Sequence, residues 1–355
     1  MKGKKPYPGN MGRELRDKAD LFEPLKITIL EVEPRDNRSR RLDARVQLTW
    51  NNKTRDFVAE MKATSAPKVV QEGIRALKQA TSADENRLVV VPYLSWANAD
   101  VIRSEGVSAL DLNGNYYIQT PDLVAIRLDQ PNQYKQAQPI KAAYSGNSSM
   151  VGRLFLMENK TYGSVQEVFR AIETLGGRGG AKPIVMSTVS KVLKRLEEDL
   201  IIEKSRKKIR LLQAGKLLDN LRDSYKPPTL TDNELNLRLP EGKKPWGLGF
   251  TGIYAFTGES SVQMYATTTE PQVYSMYVAD IPYLLRRSDI RKYEDARFPN
   301  LILKETRDAF VYFRDERSDS AWASAVQTYL ELSQLGKREK EIAEDVRKGI
   351  LEPFL

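Results

Sequence analysis

The 355-residue sequence contains neither cysteine nor histidine. Without cysteine there is no disulfide and no thiolate metal site. Without histidine there is no Ser-His-Asp triad, no imidazole base and no histidine-ligated zinc, so any catalysis has to run on carboxylates, lysine, tyrosine or hydroxyls. Apolar runs approaching the roughly 18 residues that mark a transmembrane candidate are missing as well. The basic start, MKGKKPYPGN, leads into charged, helix-like sequence rather than a signal-type apolar stretch. The expectation from these absences is a cytoplasmic protein with no membrane partner. What is present is a folded-protein composition, 41% hydrophobic and 29% charged. The length suits two or three domains, and three are expected. With 56 Lys and Arg against 47 Asp and Glu, the net charge is +9, which favours a polyanionic partner such as nucleic acid.

Periodicity gives the elements. Residues 11–22 are expected to form a helix and 25–33 a strand. Over 42–50, Leu42, Ala44, Val46, Leu48 and Trp50 alternate with Asp43, Arg45, Gln47 and Thr49, the period of a half-buried strand. A turn at 51–54 leads into a second strand, 56–63. Residues 67–80 put Val70, Ile74 and Leu77 on one helix face. A strand at 88–91 follows, then a helix over 96–105 capped by Ser95 and stopped by Gly106, a hairpin about Asn113-Gly114, and a strand at 122–128. The Gln/Pro-rich DQPNQYKQAQPIK closes this first portion. Residues 146–225 are mainly helical with one short strand pair. Breaker-rich sequence at 227–245 then opens a third portion of strands and two final helices.

Two constellations carry chemistry. In VMSTVSKVLKRLEEDLII, Val189, Val192, Leu193, Leu196 and Leu200 form an inward stripe. The opposite face presents Ser187, placed as an N-cap, with Thr188, Ser190, Lys191, Lys194 and Arg195. IIEKSRKKIRLL then predicts two short strands joined by a basic tip bearing Lys204, Arg206, Lys207, Lys208 and Arg210. A helix at 164–174 and the Gly-rich GGRGGAKP precede them. The order is helix, turn, recognition helix, wing: a winged helix whose helix reads a major groove and whose wing grips phosphate. A basic helix face alone is ordinary solvated surface. The order, the spacing and the basic hairpin together point to double-stranded DNA, bound without a cofactor.

The second constellation lies on the 42–62 hairpin. If Trp50 pairs with Arg55, Asp43 lies opposite Lys62 and Arg45 opposite Glu60, so Asp43, Glu60 and Lys62 share a face. Two carboxylates there can hold a divalent cation while a lysine steadies a water or a phosphate. This arrangement resembles the PD-(D/E)XK nuclease fold, in which an acid begins one strand and E-x-K sits in the next, followed by a helix. LDARVQLTW and FVAEMKA fit it, with Leu42 where that fold has proline and Glu14 as the candidate supporting glutamate. The resemblance implies catalytic Asp43, Glu60 and Lys62, a metal held by Asp43 and Glu60, and Mg²⁺-dependent DNA cleavage if the domain is active; an inactive one can still hold DNA or a partner. Asp111, Gly114 and Asn115 in LDLNGNYYI are read as a turn.

FVAEMKA, GVSALDLNGNYYI, STVSKVLKRLEEDLII, LLQAGKLLDNLRDSY, TGESSVQMYA and AWASAVQTYLELSQLGKREKEIAEDVRKGIL together resemble longer members of the type IV antitoxin AbiEi family, over nearly the whole chain. That resemblance implies an autoregulatory, nucleoid-associated transcription factor binding repeats upstream of its operon, with a homodimer on inverted repeats as one arrangement. It also implies a last domain that counters a nucleotidyltransferase-like toxin. Short antitoxins begin with their winged helix; here a nuclease-like domain precedes it. The expected fold is therefore multi-domain α/β: a restriction-endonuclease-like α/β domain at 1–138, a winged helix-turn-helix at 139–228 and an α+β partner domain at 229–355. Trp322, Val326, Tyr329 and Leu330, extended by Leu332 and Leu335, are read as core. The stretch Gly258-Glu259-Ser260-Ser261 lacks P-loop spacing and lysine, so no nucleotide site is assigned.

Overall fold

The computed structural model describes residues 8–32, 42–134, 142–176, 184–206, 208–295, 297–313 and 321–355. The class is mixed α/β, and the chain divides into two compact units, 1–138 and 139–355. Among the described residues no helix is long and apolar enough to cross a membrane.

The first unit begins with α1 (Pro8–Asp17) and is built on a seven-stranded sheet whose strands lie in chain order: β1 (Lys26–Val32), β2 (Ala44–Trp50), β3 (Lys53–Met61), β4 (Asn86–Val91), β5 (Ser108–Asp111), β6 (Tyr116–Thr120) and β7 (Leu123–Arg127). Strands β3, β4 and β5 are parallel and the other neighbours antiparallel. Parallel neighbours need a crossover, supplied by α2 (Pro67–Ala80) and α3 (Trp96–Ser104). Alternation separates the two faces. Ala44, Val46, Leu48, Phe57, Ala59 and Met61 meet Met11, Leu15 and Phe22 on one side, while Val58 meets Val70, Ile74 and Leu77 of α2 on the other. Leu42 departs from the expected alternation: it precedes β2 and joins the α2 layer.

The hairpin register also differs from expectation. Asn51 and Asn52, at φ 47° and 61°, form a two-residue turn in which both central residues are left-handed, as a tight hairpin requires. Trp50 therefore pairs with Lys53, and Arg55 with Leu48. The slip relative to the expected pairing is two residues, an even number, so every side chain keeps its face.

The sheet curls around its α1 side. Trp50 packs edge-on against Tyr116, centroids 6.0 Å apart. Lys53 Nζ donates to the Asp122 carbonyl at 2.7 Å, and Arg55 Nε to Asp122 Oδ1 at 3.2 Å, although β4 and β5 lie between those strands. Arg127 donates to the carbonyls of Gly114, Glu23 and Leu21 and stacks on Tyr116, fastening the 19–23 segment to the sheet. Gly114 has φ +94°, and a Cβ there would stand 2.7 Å from the Leu21 carbonyl oxygen, so only glycine fits. Asp111 is buried and accepts from the backbone amides of Leu94 (2.9 Å), Asn113 (2.7 Å) and Asn115 (2.9 Å), and from the Asn113 and Asn115 side chains. The LDLNGNYYI segment is thus a hydrogen-bonded corner around one carboxylate.

The second unit comprises α4 (Met150–Met157), α5 (Val165–Gly176), α6 (Met186–Glu198), the hairpin of β8 (Ile202–Ser205) and β9 (Lys208–Leu211), and α7 (Ala214–Asp223). A four-stranded sheet follows, ordered β10 (Leu230–Leu237), β13 (Leu301–Thr306), β12 (Tyr274–Val278), β11 (Tyr254–Phe256). Around it lie α8 (Glu259–Val262), α9 (Ile281–Arg287), α10 (Ala325–Leu332) and α11 (Lys337–Leu351). One core runs from Val168, Val192 and Leu196 through Leu218 to Tyr329, Leu330 and Val346, so apolar packing is continuous across 228–229. Trp322, Val326, Tyr329, Leu330 and Leu332 are buried, whereas Leu335 is exposed. In the 258–261 stretch, Ser260 Oγ accepts from the Ser275 amide at 2.7 Å and Ser261 shares a hydrogen bond with Thr328, both serines being buried. That stretch is a packing joint.

Polar groups knit the same core. Arg153 of α4 is 1% exposed. It donates to Ser149 Oγ at 3.0 Å and to Gln327 Oε1 at 2.6 Å, and lies over the Phe310 ring. Burial lowers its pKa to about 10. Gln327 passes the link on, donating to Glu331 Oε1 at 2.6 Å and to the Tyr225 hydroxyl at 3.1 Å. Glu331 also accepts from Thr257 and from the Gly258 amide, and burial raises its pKa.

Candidate nucleic-acid interface and carboxylate cluster

Helix α6 buries Val189, Val192, Leu193 and Leu196, the expected stripe. It begins earlier than the cap reading requires: the N-cap is Val185, whose carbonyl accepts from the Thr188 and Val189 amides. Ser187 therefore lies inside the first turn with an exposed side chain and caps nothing. At the far end Leu200, at φ +60°, closes the helix: its amide bonds to the Glu197 carbonyl and the Ile201 amide to that of Leu196. Leu200 ends the stripe outside the helix, half-buried.

The outward face carries Ser187, Ser190, Lys191 and Lys194, all exposed, with Thr188 half-buried. Lys191 has no ion-pair partner among the described residues, and Lys194 only approaches Glu198 at 4.0 Å. Arg195 is different. Its Nε donates at 2.8 Å to Asp199 Oδ2, a nearly buried carboxylate that also accepts from the Tyr144 hydroxyl at 2.6 Å. This candidate contact is committed to holding the end of α6. On the hairpin, Lys208 and Arg210 both pair with Glu203, at 3.3 and 2.6 Å, which holds the Glu203 carboxyl below its usual range, Arg210 contributing most. Those exposed pairs are weak and exchangeable for phosphate. Arg206 is exposed, Lys204 half-buried, and neither is ion-paired among the described residues; Lys207 lies outside them. Two features escaped sequence reasoning. Tyr162 bridges Ile209 through reciprocal amide–carbonyl bonds of 2.9 and 2.7 Å, adding a third chain to the hairpin. A lone strand residue has no periodicity to betray it. Val185 and Met186 are exposed at the start of α6, a place only the observed helix boundary reveals.

In the first unit, Asp43, Glu60 and Lys62 come together on the α2 side of the sheet. With the observed register Asp43 falls opposite Glu60, one step beyond the Ala44–Ala59 pair. Asp43 Oδ2 accepts from the Met61 amide at 2.6 Å, and Lys62 Nζ donates to Glu60 Oε1 at 2.7 Å. Glu60 and Lys62 are 13% and 22% exposed. Burial raises the Glu60 pKa, with Asp43 adding to the rise and Lys62 opposing it. Gly73 of α2 faces the cluster closely: a Cβ there would lie 3.0 Å from Lys62 Cε and 3.7 Å from Glu60 Cγ. Two carboxylates that each spend one oxygen on these protein bonds fit a hard cation such as Mg²⁺, which takes one or two carboxylates and fills its shell with water and substrate oxygens. Glu14 lies elsewhere, accepting from the Tyr134 hydroxyl at 3.1 Å, so its expected supporting role has no counterpart in these contacts.

Set against family models, curated proteins and solved structures, the chain matches none of them.

Proposed function

We propose that the protein is a double-stranded DNA-binding regulator whose second unit contains a winged helix-turn-helix, with α5 and α6 as the helix pair and the Tyr162, β8 and β9 strands as the wing. The supporting observation is the outward row Ser187, Ser190, Lys191 and Lys194, exposed on a helix whose other face is locked into the core. In this reading α6 enters a major groove while Lys204 and Arg206 neutralise backbone phosphate. Regulation of the AbiEi antitoxin type, in the cytoplasm at the nucleoid and with a protein partner for the portion after 229, belongs to the same proposal. The test is gel retardation of duplex DNA by the full chain. Replacing Lys191, Lys194, Lys204 and Arg206 with alanine is expected to weaken binding at least tenfold and, through the two lost phosphate contacts, to flatten the log-affinity against log-salt slope by about 2. Unchanged affinity and slope would sink the placement.

A second reading is favoured by the convergence of Asp43, Glu60 and Lys62: a PD-(D/E)XK-type deoxyribonuclease site in the first unit. Mg²⁺ bound there would supply Lewis acidity toward the scissile phosphate. Asp43 and Glu60 provide its carboxylate ligands, and Lys62 sits where it can orient a water or a phosphate oxygen. Because the folded state raises the Glu60 pKa, this group favours folding at low pH, and its contribution declines as pH rises from the ordinary carboxylate range through the raised value. Glu60→Gln keeps an acceptor for Lys62 and abolishes that decline. It is expected to raise the thermal midpoint at neutral pH while removing Mg²⁺-dependent cleavage of labelled duplex or single-stranded DNA. Cleavage that persists in Glu60→Gln, or a native chain that never cuts with Mg²⁺ or Mn²⁺, removes this reading and leaves the first intact.

A further inference from the structure

We propose that Trp96 is a stacking platform for an unpaired nucleobase, so that the first unit holds single-stranded nucleic acid across the edge that carries Asp43, Glu60 and Lys62. The proposal rests on the nucleic-acid reading of that unit and extends it to a strand-type preference.

The three parallel strands β3, β4 and β5 end on one edge of the sheet, and ligands of α/β sheets collect beyond such carboxyl ends. Glu60 and Lys62 stand at the end of β3, and Asp43 enters the same edge at the start of antiparallel β2. Helix α3 starts there too, so its first residue, Trp96, belongs to this edge. Trp96 is 67% exposed, while Asn98, Ala99 and Ile102 behind it are buried. An indole left in water on a short helix contributes little to the fold.

The backbone beneath the ring is fixed. Ser95 Oγ caps α3 by accepting from the Asn98 amide. Asn98 Nδ2 donates at 2.8 Å to the Ser65 carbonyl, and the Tyr93 amide donates at 2.9 Å to Ser65 Oγ. Ser65 lies three residues after Lys62, so these bonds clamp the Trp96 turn to the segment leaving the cluster. An aromatic ring on a fixed backbone has only two side-chain torsions to lose on binding, which suits base stacking. A base in a duplex has its faces covered by its neighbours, so a lone indole reaches a base face only on an unpaired or frayed strand.

The experiment titrates the full chain, in EDTA, into a short fluorescein-labelled single-stranded oligonucleotide of mixed composition and reads anisotropy, with duplex retardation measured in parallel. Trp96→Ala is expected to weaken single-strand binding by about 5- to 100-fold, the worth of one stacked base, and Trp96→Phe by much less. Duplex retardation through α6 stays unchanged in both. The native chain also shows quenched tryptophan emission on saturation, and Trp96→Ala loses that quenching. Equal single-strand affinity in Trp96→Ala and the native chain overturns the proposal and leaves a protein partner as the occupant of this ring. Equal losses in Trp96→Ala and Trp96→Phe also overturn it, since the ring face is then not the determinant. Cleavage and its dependence on Glu60 are scored separately, so stacking without cleavage keeps this inference while the nuclease reading falls.

Discussion

Asp111→Ala is expected to abolish cooperative folding of the first unit. The carboxylate accepts from three backbone amides and two side-chain amides, and it is fully buried. Alanine leaves the Leu94, Asn113 and Asn115 amides without acceptors in a place water does not reach. Each orphaned donor costs about 1–3 kcal/mol. Three together cost roughly 3–9 kcal/mol, comparable with the whole stability of an ordinary domain, about 5–15 kcal/mol. The loss spreads because the same corner presents Gly114 to the Leu21 carbonyl and Arg127 to the 19–23 segment. Urea unfolding followed by far-UV circular dichroism should show the first unit's transition gone and that of the second, which has its own core, retained. Asp111→Asn, which keeps one acceptor oxygen, should fall between. A loss below about 1 kcal/mol in Asp111→Ala would show that these amides find other partners.

Gln327→Leu is the counterpart in the second unit. Leucine is close in size and removes the amide atoms that join Arg153 Nη1, Glu331 Oε1 and the Tyr225 hydroxyl. The buried guanidinium then keeps Ser149 as its remaining hydrogen-bond partner among the described bonds. Breaking a buried charged network in this way costs about 3–5 kcal/mol. A thermodynamic cycle distinguishes this from a packing defect. Arg153→Met combined with Gln327→Leu should be more stable than the sum of the single losses by more than about 1 kcal/mol, because the second change removes the orphan the first created. Strict additivity would mean that the two residues act independently.

Much of the fold was readable because it follows from local rules. The alternation over 42–50, the Val70, Ile74 and Leu77 face of α2, the Ser95 cap and the α6 stripe each needed only neighbours in sequence. Long-range pairing was not readable. The hairpin pairing depended on which two of the residues in NNKT adopt positive φ, and nothing local distinguishes Asn51-Asn52 from a longer loop. Its two-residue slip left Asp43, Glu60 and Lys62 on their expected face, so that cluster survived an incorrect pairing. Arg195 looked like a DNA contact because its partner, Asp199, also sits on the charged side of the sequence pattern. Only the Tyr144 hydroxyl and the near-burial of Asp199 show the pair turning inward. Asp111 was legible as part of a turn, but not as the acceptor that organises it, since the Leu94 amide reaches it from another loop.

The curl of the first sheet sets an order of events at synthesis. Met11, Leu15, Phe22 and Leu25 leave the ribosome well before Leu110, Tyr116, Ile118, Leu123 and Ala125, with which they share a core. The carbonyls of Leu21 and Glu23 wait for Arg127. These N-terminal residues act as a stopper for a basin whose far wall is made about a hundred residues later, a large loop to close before any contact rewards it. Until then the nascent chain carries Met11, Leu15 and Phe22 without their seat, the interval in which a chaperone has most to hold.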